Sequence, residues 1–176
     1  PKPRIADLLA TPTLDTTCSI DGWVRTRRDS KGGFSFVEIN DGSCMANLQI
    51  IAPADLPNYE TAVAKLHPGS AIRATGVLTG SEGQEQAVEM KATEIHVYGF
   101  CDILSYPLQK QRVSLERLRE AAHLRVRTNT FGAVARVRNT LSFATHRFFQ
   151  ERQFLYLNTP IITCNDCEGA GQMFRV

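Results

Sequence analysis

The 176-residue chain contains no apolar run approaching the roughly 18–20 residues that a helix needs to cross a bilayer. Its first residues, PKPRIADLL, lack the apolar segment of a secretory signal. Both absences lead to the expectation of a cytoplasmic protein with no membrane partner. Cysteine is sparse and scattered, five in all, an odd number that argues for reduced thiols over a disulfide framework. The close pair Cys164 and Cys167 has neither a second pair nor a His pair to complete a metal knuckle, so it reads as two incidental thiols. Repeats and low-complexity tracts are missing as well. A large net charge is also missing, but the total of +2 hides an asymmetry. Residues 1–109 carry 9 Lys/Arg against 13 Asp/Glu, residues 110–152 carry 10 against 3, and residues 153–176 carry 1 against 2. A basic middle segment in a near-neutral chain points to a polyanion meeting one particular surface. With 43% hydrophobic and 22% charged residues, the chain has enough apolar material for a buried core.

From Thr16 to Phe100 the hydrophobic period is mostly two. Cys18, Ile20, Trp23 and Val24 read as a first strand running to about Arg28. Phe34, Phe36, Val37 and Ile39 give a second after the turn Lys31-Gly32-Gly33, and Met45, Leu48, Ile50 and Ile51 a third after Asp41-Gly42-Ser43. The period then changes. Leu56, Tyr59, Val63 and Leu66 stand at helical spacing in PADLPNYETAVAKL, and His67-Pro68-Gly69 ends that segment. Ser70 to Leu78 reads as a fourth strand and Ala87 to Phe100 as a fifth. Three strands, a helix and two strands is the order of an oligonucleotide/oligosaccharide-binding (OB) barrel, although other small barrels remain open.

Beyond Phe100, CDILSYPLQK reads as a connector and QRVSLERLREAAHLRVR as a charged helix with Leu115, Leu118 and Ala122 on one face. A longer amphipathic helix spans Phe131 to Arg152, with Phe131, Val134, Val137, Leu141 and Phe148 at three- and four-residue steps. Phe154 to Ile162 reads as a strand interrupted by Pro160. A helix and strand of this kind cannot bury both faces alone, which leads to the expectation that they belong to a larger protein.

The stretch GWVRTRRDSKGGFSF interleaves aromatic and basic residues at the first strand and loop. Arg25, Arg27, Arg28 and Lys31 lie there, and Phe34 and Phe36, two apart, share one face of the second strand. Such a face suits single-stranded nucleic acid: aromatic rings stack bases and cations hold phosphates. Gln49 on the third strand falls on the same side, and an amide both donates and accepts, as reading a base edge requires.

Several segments together resemble the asparaginyl-tRNA synthetases of bacterial type, in the class II aspartyl/asparaginyl/lysyl subclass. They are GWVRTRRDSKGG, FSFVEINDGS, YPLQK, LREAAHLRVRTNTFGAVARVRN, FFQERQFLYLNTPIIT and DCEGAGQMFRV. HLRVRTN and DCEGAG point to the asparaginyl branch. The resemblance implies a mainly β protein with an α/β fragment: a five-stranded OB-fold barrel followed by the start of a class II catalytic domain, its motif 1 helix and strand. It divides the chain into an anticodon-binding domain (1–101), a hinge and linker helix (102–128) and an incomplete catalytic domain (129–176). It implies that Phe36 stacks an anticodon base, Gln49 reads the central uridine and Arg28 lines that pocket. It implies that Pro160 belongs to a homodimer interface and that Glu168 holds the α-ammonium of the amino acid, with Gly169 and Gly171 in a loop that closes over substrate. The parent activity is then ATP-dependent activation of asparagine and its transfer to tRNA(Asn), with ATP and magnesium held mostly outside this segment. Motifs 2 and 3 are absent, so the segment alone is expected to be inactive, with no catalytic residue or metal ligand of its own. Gln172 stands where the family usually has Glu. A free-standing OB module that binds tRNA, or an aspartyl-type enzyme, are the alternatives.

Overall fold

The computed structural model describes residues 2–81, 83, 86–108 and 113–162. A short helix α1 (Ile5–Ala10) precedes strands β1 (Thr17–Ser30), β2 (Phe34–Asn40) and β3 (Leu48–Pro53). Strands β4 (Ala71–Gly80) and β5 (Val88–Gly99) follow, then helices α2 (Leu115–Glu120) and α3 (Asn129–Gln150). The five strands close into a barrel in the order β1-β2-β3-β5-β4, antiparallel except where β3 meets β5. Closure leaves no open sheet edge and gives every strand one inner and one outer face.

The inner face is continuous and apolar. Val24, Val37, Ile39, Leu48, Ile50, Ile72, Leu78, Met90 and Ile95 pack into one buried cluster, alternating with outward residues as a half-buried strand requires. Ile5 from α1 joins that cluster, as do Leu56, Val63 and Leu66 from the connection between β3 and β4.

That connection is not the helix its spacing predicts. It is a run of turns with one 3-10 segment, Val63–Lys65. Pro57 has no N–H and disfavours the helical conformation at Leu56. The bonds that form are of mixed span: Tyr59 N–H to the Leu56 carbonyl at 2.9 Å, Ala62 N–H to Asn58 at 2.8 Å, and Ala64 N–H to Tyr59 at 2.8 Å. Apolar spacing identified the buried residues correctly but not the backbone that buries them. Helix α1 has no comparable signal. At six residues it is too short to stand alone. The loop after β2 holds it: the Asp41 carboxylate accepts from Ile5 N–H at 2.9 Å, and the Ser43 hydroxyl from Ala6 N–H at 2.9 Å.

Two compact units share α3, residues 1–135 and 136–176. In the first, α2 buries Leu118, with Ala121 just beyond it in place of the expected Ala122, and leaves Leu115 exposed. Thr128 caps α3 by accepting the Phe131 N–H at 3.3 Å. In the second, Leu141, Phe143, Phe148 and Phe149 are exposed along the helix. The expected strand from Phe154 to Ile162 does not form. Among the described residues no neighbouring strand pairs with it, and a strand exists only through its ladder. Instead Tyr156 meets His146 edge to face at 4.8 Å, and Phe154 meets Phe149 at 5.3 Å.

Two outcomes follow from this packing. At the irregularity between Thr75 and Gly76, a Cβ on Gly76 would overlap the Lys91 carbonyl of the adjoining strand. Gly76→Ala is expected to lower the unfolding free energy by about 1–3 kcal/mol in urea titration, as forced overpacking does. Burial alone would raise the Asp41 pKa, but hydrogen bonds from the Ser43 hydroxyl and the Ile5 and Ser43 amides outweigh it and hold the carboxyl below its usual value. A depressed folded pKa stabilises above the unfolded value and loses that contribution as pH falls through the folded one. The Ile5 and Ala6 amide resonances are therefore expected to shift together on acidification, below the usual Asp midpoint of about 3.9. In Asp41→Asn that titration should vanish.

Candidate nucleic-acid interface

One irregularity in β1 decides which basic residues face outward. The pairing of β1 with β2 runs Trp23↔Asn40 and Val24↔Ile39, then skips Arg25 and resumes at Thr26↔Glu38. This bulge reverses the side on which the following residues point. Arg28 thereby pairs with Phe36 on the outer face, while Arg27 pairs with the buried Val37. A regular ladder would have done the opposite.

The outer face of β1-β2-β3 is built in rows. Arg28, Phe36 and Ile51 form one, and Thr26, Glu38 and Gln49 the next. Phe36 is half-buried on its outward side, with Phe34 edge to face at 5.0 Å and the Arg28 guanidinium 4.5 Å over its ring. Gln49 is diagonal to Phe36, a separation of roughly 7–8 Å between Cα atoms, so one planar ring can lie on the phenyl group with its edge toward the amide. Gln49 shows only 8% of its surface, and its Nε2 donates to Glu89 Oε2 on β5 at 3.2 Å. Ser81 donates to the same oxygen at 3.2 Å. Glu38 is half-buried opposite Gln49 and accepts from Asn47 at 3.4 Å. Carboxylates thus flank the amide, while Arg28 and the exposed Lys31 lie toward the first loop. There Gly33, at φ 77°, turns the chain from β1 into β2 in a conformation that favours glycine.

The other basic residues of the opening stretch serve the fold. Arg27, with 17% of its side chain exposed, pairs with Asp29 at 2.5 Å. Asp29 in turn accepts from the buried Ser35 hydroxyl at 2.6 Å, and Ser35 lies 2.6 Å from the Tyr59 hydroxyl. Arg25, expelled by the bulge, donates to the Arg127 carbonyl and reaches Asn129 Oδ1 at 3.3 Å. The Arg127 guanidinium covers the Trp23 ring at 4.4 Å, and Arg125 covers Phe131 at 4.7 Å. Trp23 and Arg127 therefore join the connector to the barrel, while Arg125 ties the connector to the first turn of α3. On the β1-β4-β5 side, Arg73 first and then Lys2 hold the Asp21 carboxyl well below the usual range, with Tyr98 donating to it at 2.9 Å.

Sequence reasoning did not find Glu89, Ser81 or the role of Arg25. Glu89 lies next to Gln49 only because β5 pairs with β3 across the closure, Ile50 against Met90, and nothing local encodes that pairing. Pro160 is exposed in the irregular stretch after α3. Glu168, Gly169, Gly171, Gln172, Cys164 and Cys167 lie outside the described residues. Among the described residues Cys18, Cys44 and Cys101 are free thiols, and no three His, Cys, Asp or Glu side chains converge as a metal site would require.

A closed five-stranded barrel with a ring, an amide and a cation on its β1-β2-β3 face belongs to the OB class, and residues 18–98 match the family of OB-fold nucleic acid binding domains. The chain is 57% identical over 163 residues to an asparagine–tRNA ligase of Rhodopirellula baltica, covering 93% of this chain and 33% of that protein. It is 52% identical over 173 residues to the asparagine–tRNA ligase of Nostoc sp., covering 98% of this chain and 37% of that one. The chain is thus similar to asparagine–tRNA ligases over nearly all of its own length and spans about a third of theirs. In fold, it matches the asparaginyl-tRNA synthetase of Pyrococcus horikoshii with a TM-score of 0.80 at 21% identity, over 92% of this chain and 38% of that one. An aspartyl-tRNA synthetase of Entamoeba histolytica matches with a TM-score of 0.73 at 19% identity, over 91% and 39%.

Removing the Arg25 clamp tests the role of the bulge in holding the connector. Arg25→Ala is expected to raise amide hydrogen exchange in residues 125–129 by about tenfold, the loss of a charge-assisted hydrogen bond worth roughly 1.5 kcal/mol. Exchange in the buried strands should stay as in the unaltered chain.

Proposed function

We propose that this chain supplies anticodon recognition to an asparagine–tRNA ligase, with tRNA(Asn) as its nucleic-acid partner. The observation that carries the reading is the outward row of Arg28 over Phe36 with Gln49 one row away. It offers a stacking surface, a base-reading amide and a phosphate-directed cation within one nucleotide's reach. Phe36 stacks the central uridine, Gln49 reads its edge, and Arg28 moves from the ring toward the backbone phosphate as the base takes its place. The domain division follows: residues 1–101 bind the anticodon, 102–128 form the hinge, and 129–176 begin the catalytic domain.

The identity to asparagine–tRNA ligases supports the rest of the proposal. The whole enzyme activates asparagine with ATP and magnesium in the cytoplasm and esterifies it to tRNA(Asn). This segment contributes Glu168 to hold the amino acid's ammonium group and leaves the remaining chemistry to other residues. The exposed apolar side chains of α3, with Pro160 beyond it, are proposed as the homodimer surface.

Phe36→Ala is expected to weaken binding of an asparagine anticodon stem-loop by about 1–3 kcal/mol, the worth of one stacked base. Arg28→Ala is expected to weaken binding and to reduce the salt slope by roughly one phosphate contact. Fluorescence anisotropy across a salt series measures both. Unchanged affinity in Phe36→Ala would place the RNA on another face.

A further inference from the structure

We propose that Arg25 is a positioning residue for the transfer of the amino acid to tRNA: it latches the hinge, so that the anticodon face and the start of α3 move as one body. The proposal rests on the anticodon reading above. Two consecutive residues of β1, Val24 and Arg25, hold the two ends of the hinge. Val24 exchanges backbone hydrogen bonds with the turn before β4. Its N–H donates to the Ser70 carbonyl and its carbonyl accepts from Gly69 N–H, each at 2.8 Å. The buried Ser70 hydroxyl accepts in turn from Cys101 N–H at 3.1 Å, just after β5 ends. Arg25, put out of the ladder by the bulge, holds the far end. It donates to the Arg127 carbonyl and to the Oδ1 of Asn129, the first residue of α3. A segment tied at both ends to neighbouring residues of one strand cannot swing while both ties last.

Three further contacts close the latch. Arg127 covers the ring of Trp23, the strand residue that precedes Val24. Arg125 covers Phe131 within the first turn of α3. Gly132 lies so close to the loop between β2 and β3 that a Cβ there would stand 3.6 Å from Met45 Sδ and 3.2 Å from the Val126 carbonyl. A larger side chain has no room at that point. All these residues belong to the first compact unit, so the barrel carries the beginning of α3 with it. Arg28, on the face proposed to meet RNA, stands on the same strand three residues beyond Arg25. A rigid link keeps the rest of a bound tRNA at high effective concentration where it must react, whereas a loose one spreads it over unproductive placements. The latch therefore acts on the transfer step and not on affinity for the anticodon.

The test uses the whole enzyme with Arg25→Ala, Gly132→Leu and the pair Met45→Ala/Gly132→Leu. Leucine favours the helix, so Gly132→Leu opens the contact without weakening α3, and Met45→Ala gives back the room that the leucine takes. Three quantities are read: asparagine activation without tRNA, by ATP–pyrophosphate exchange; affinity for an anticodon stem-loop; and transfer to full-length tRNA(Asn). Arg25→Ala and Gly132→Leu are expected to lower kcat for transfer by about tenfold or more, the loss that follows misplacement away from the chemistry. KM for tRNA, stem-loop affinity and activation should stay as in the unaltered enzyme, and the pair should regain most of the lost kcat. Unchanged kcat in Arg25→Ala would overturn the proposal. So would activation or stem-loop affinity falling in step with transfer, because Arg25 would then act on the catalytic centre or on the anticodon face itself. A pair as slow as Gly132→Leu alone would also overturn it, since Met45 would not be what holds α3. Hydrogen exchange in the first turn of α3 reads the latch with no RNA present. If the unaltered enzyme does not bind the stem-loop, the anticodon reading fails, while the exchange and transfer data still judge the latch.

Discussion

The single residue that β1 carries out of register governs the surface of this barrel. Skipping Arg25 between Val24 and Thr26 reverses the facing of the rest of the strand. Arg28 is turned onto the Phe36 ring, and Arg27 is turned to the other side, where it pairs with Asp29, which accepts in turn from the Ser35 hydroxyl beside Tyr59. The expelled Arg25 is left at the strand's flank, where it binds the connector. A strand of strict period two would have buried Arg28 and exposed its neighbour, with no cation over the ring. Bulges are features of this kind, re-aiming side chains at the cost of one ladder position.

Closure of the barrel supplies the second constraint. The β3-β5 contact is parallel and brief, yet it sets Glu89 beside Gln49. The division of charge there has a physical logic. Bases offer N–H donors at their edges, which carboxylates and oriented amide oxygens satisfy, while phosphates need cations. Glu38 and Glu89 stand next to Gln49, and Arg28 and Lys31 stand toward the loop, so one face carries both acceptors for N–H groups and cations for phosphate. The excess of cations in the middle of the chain has in part a different purpose. Arg127 lies on Trp23 and joins the connector to the barrel, while Arg125 lies on Phe131 and ties the connector to α3, guanidinium planes packing against rings in both.

The strand order of the OB barrel was legible because period-two runs mark Phe34–Asn40 and Ala71–Gly80, although burial in the first selects Ser35, Val37 and Ile39 and leaves Phe34 and Phe36 on the outer face. The connection between β3 and β4 was legible in composition but not in conformation. Leu56, Val63 and Leu66 are buried as their spacing requires, but Pro57 and the side-chain bond from Asn58 to the Ile95 carbonyl at 2.6 Å replace the helix with turns. Helix α1 was invisible because its caps, Asp41 and Ser43, lie more than thirty residues away. The extended reading of Phe154 to Ile162 failed as a strand for the converse reason. Its β-forming residues are present, but no ladder partner stands among the described residues.

By itself the sequence determined which residue types were available at the first three strands, that their faces alternate, and to which enzymes the chain is related, because periodicity and motif are local properties. Tertiary structure alone decided which of Arg25, Arg27 and Arg28 faces outward, since a bulge is a relation between two strands. It also decided that Gln49 is held by Glu89, since the ends of β3 and β5 meet only when the barrel closes.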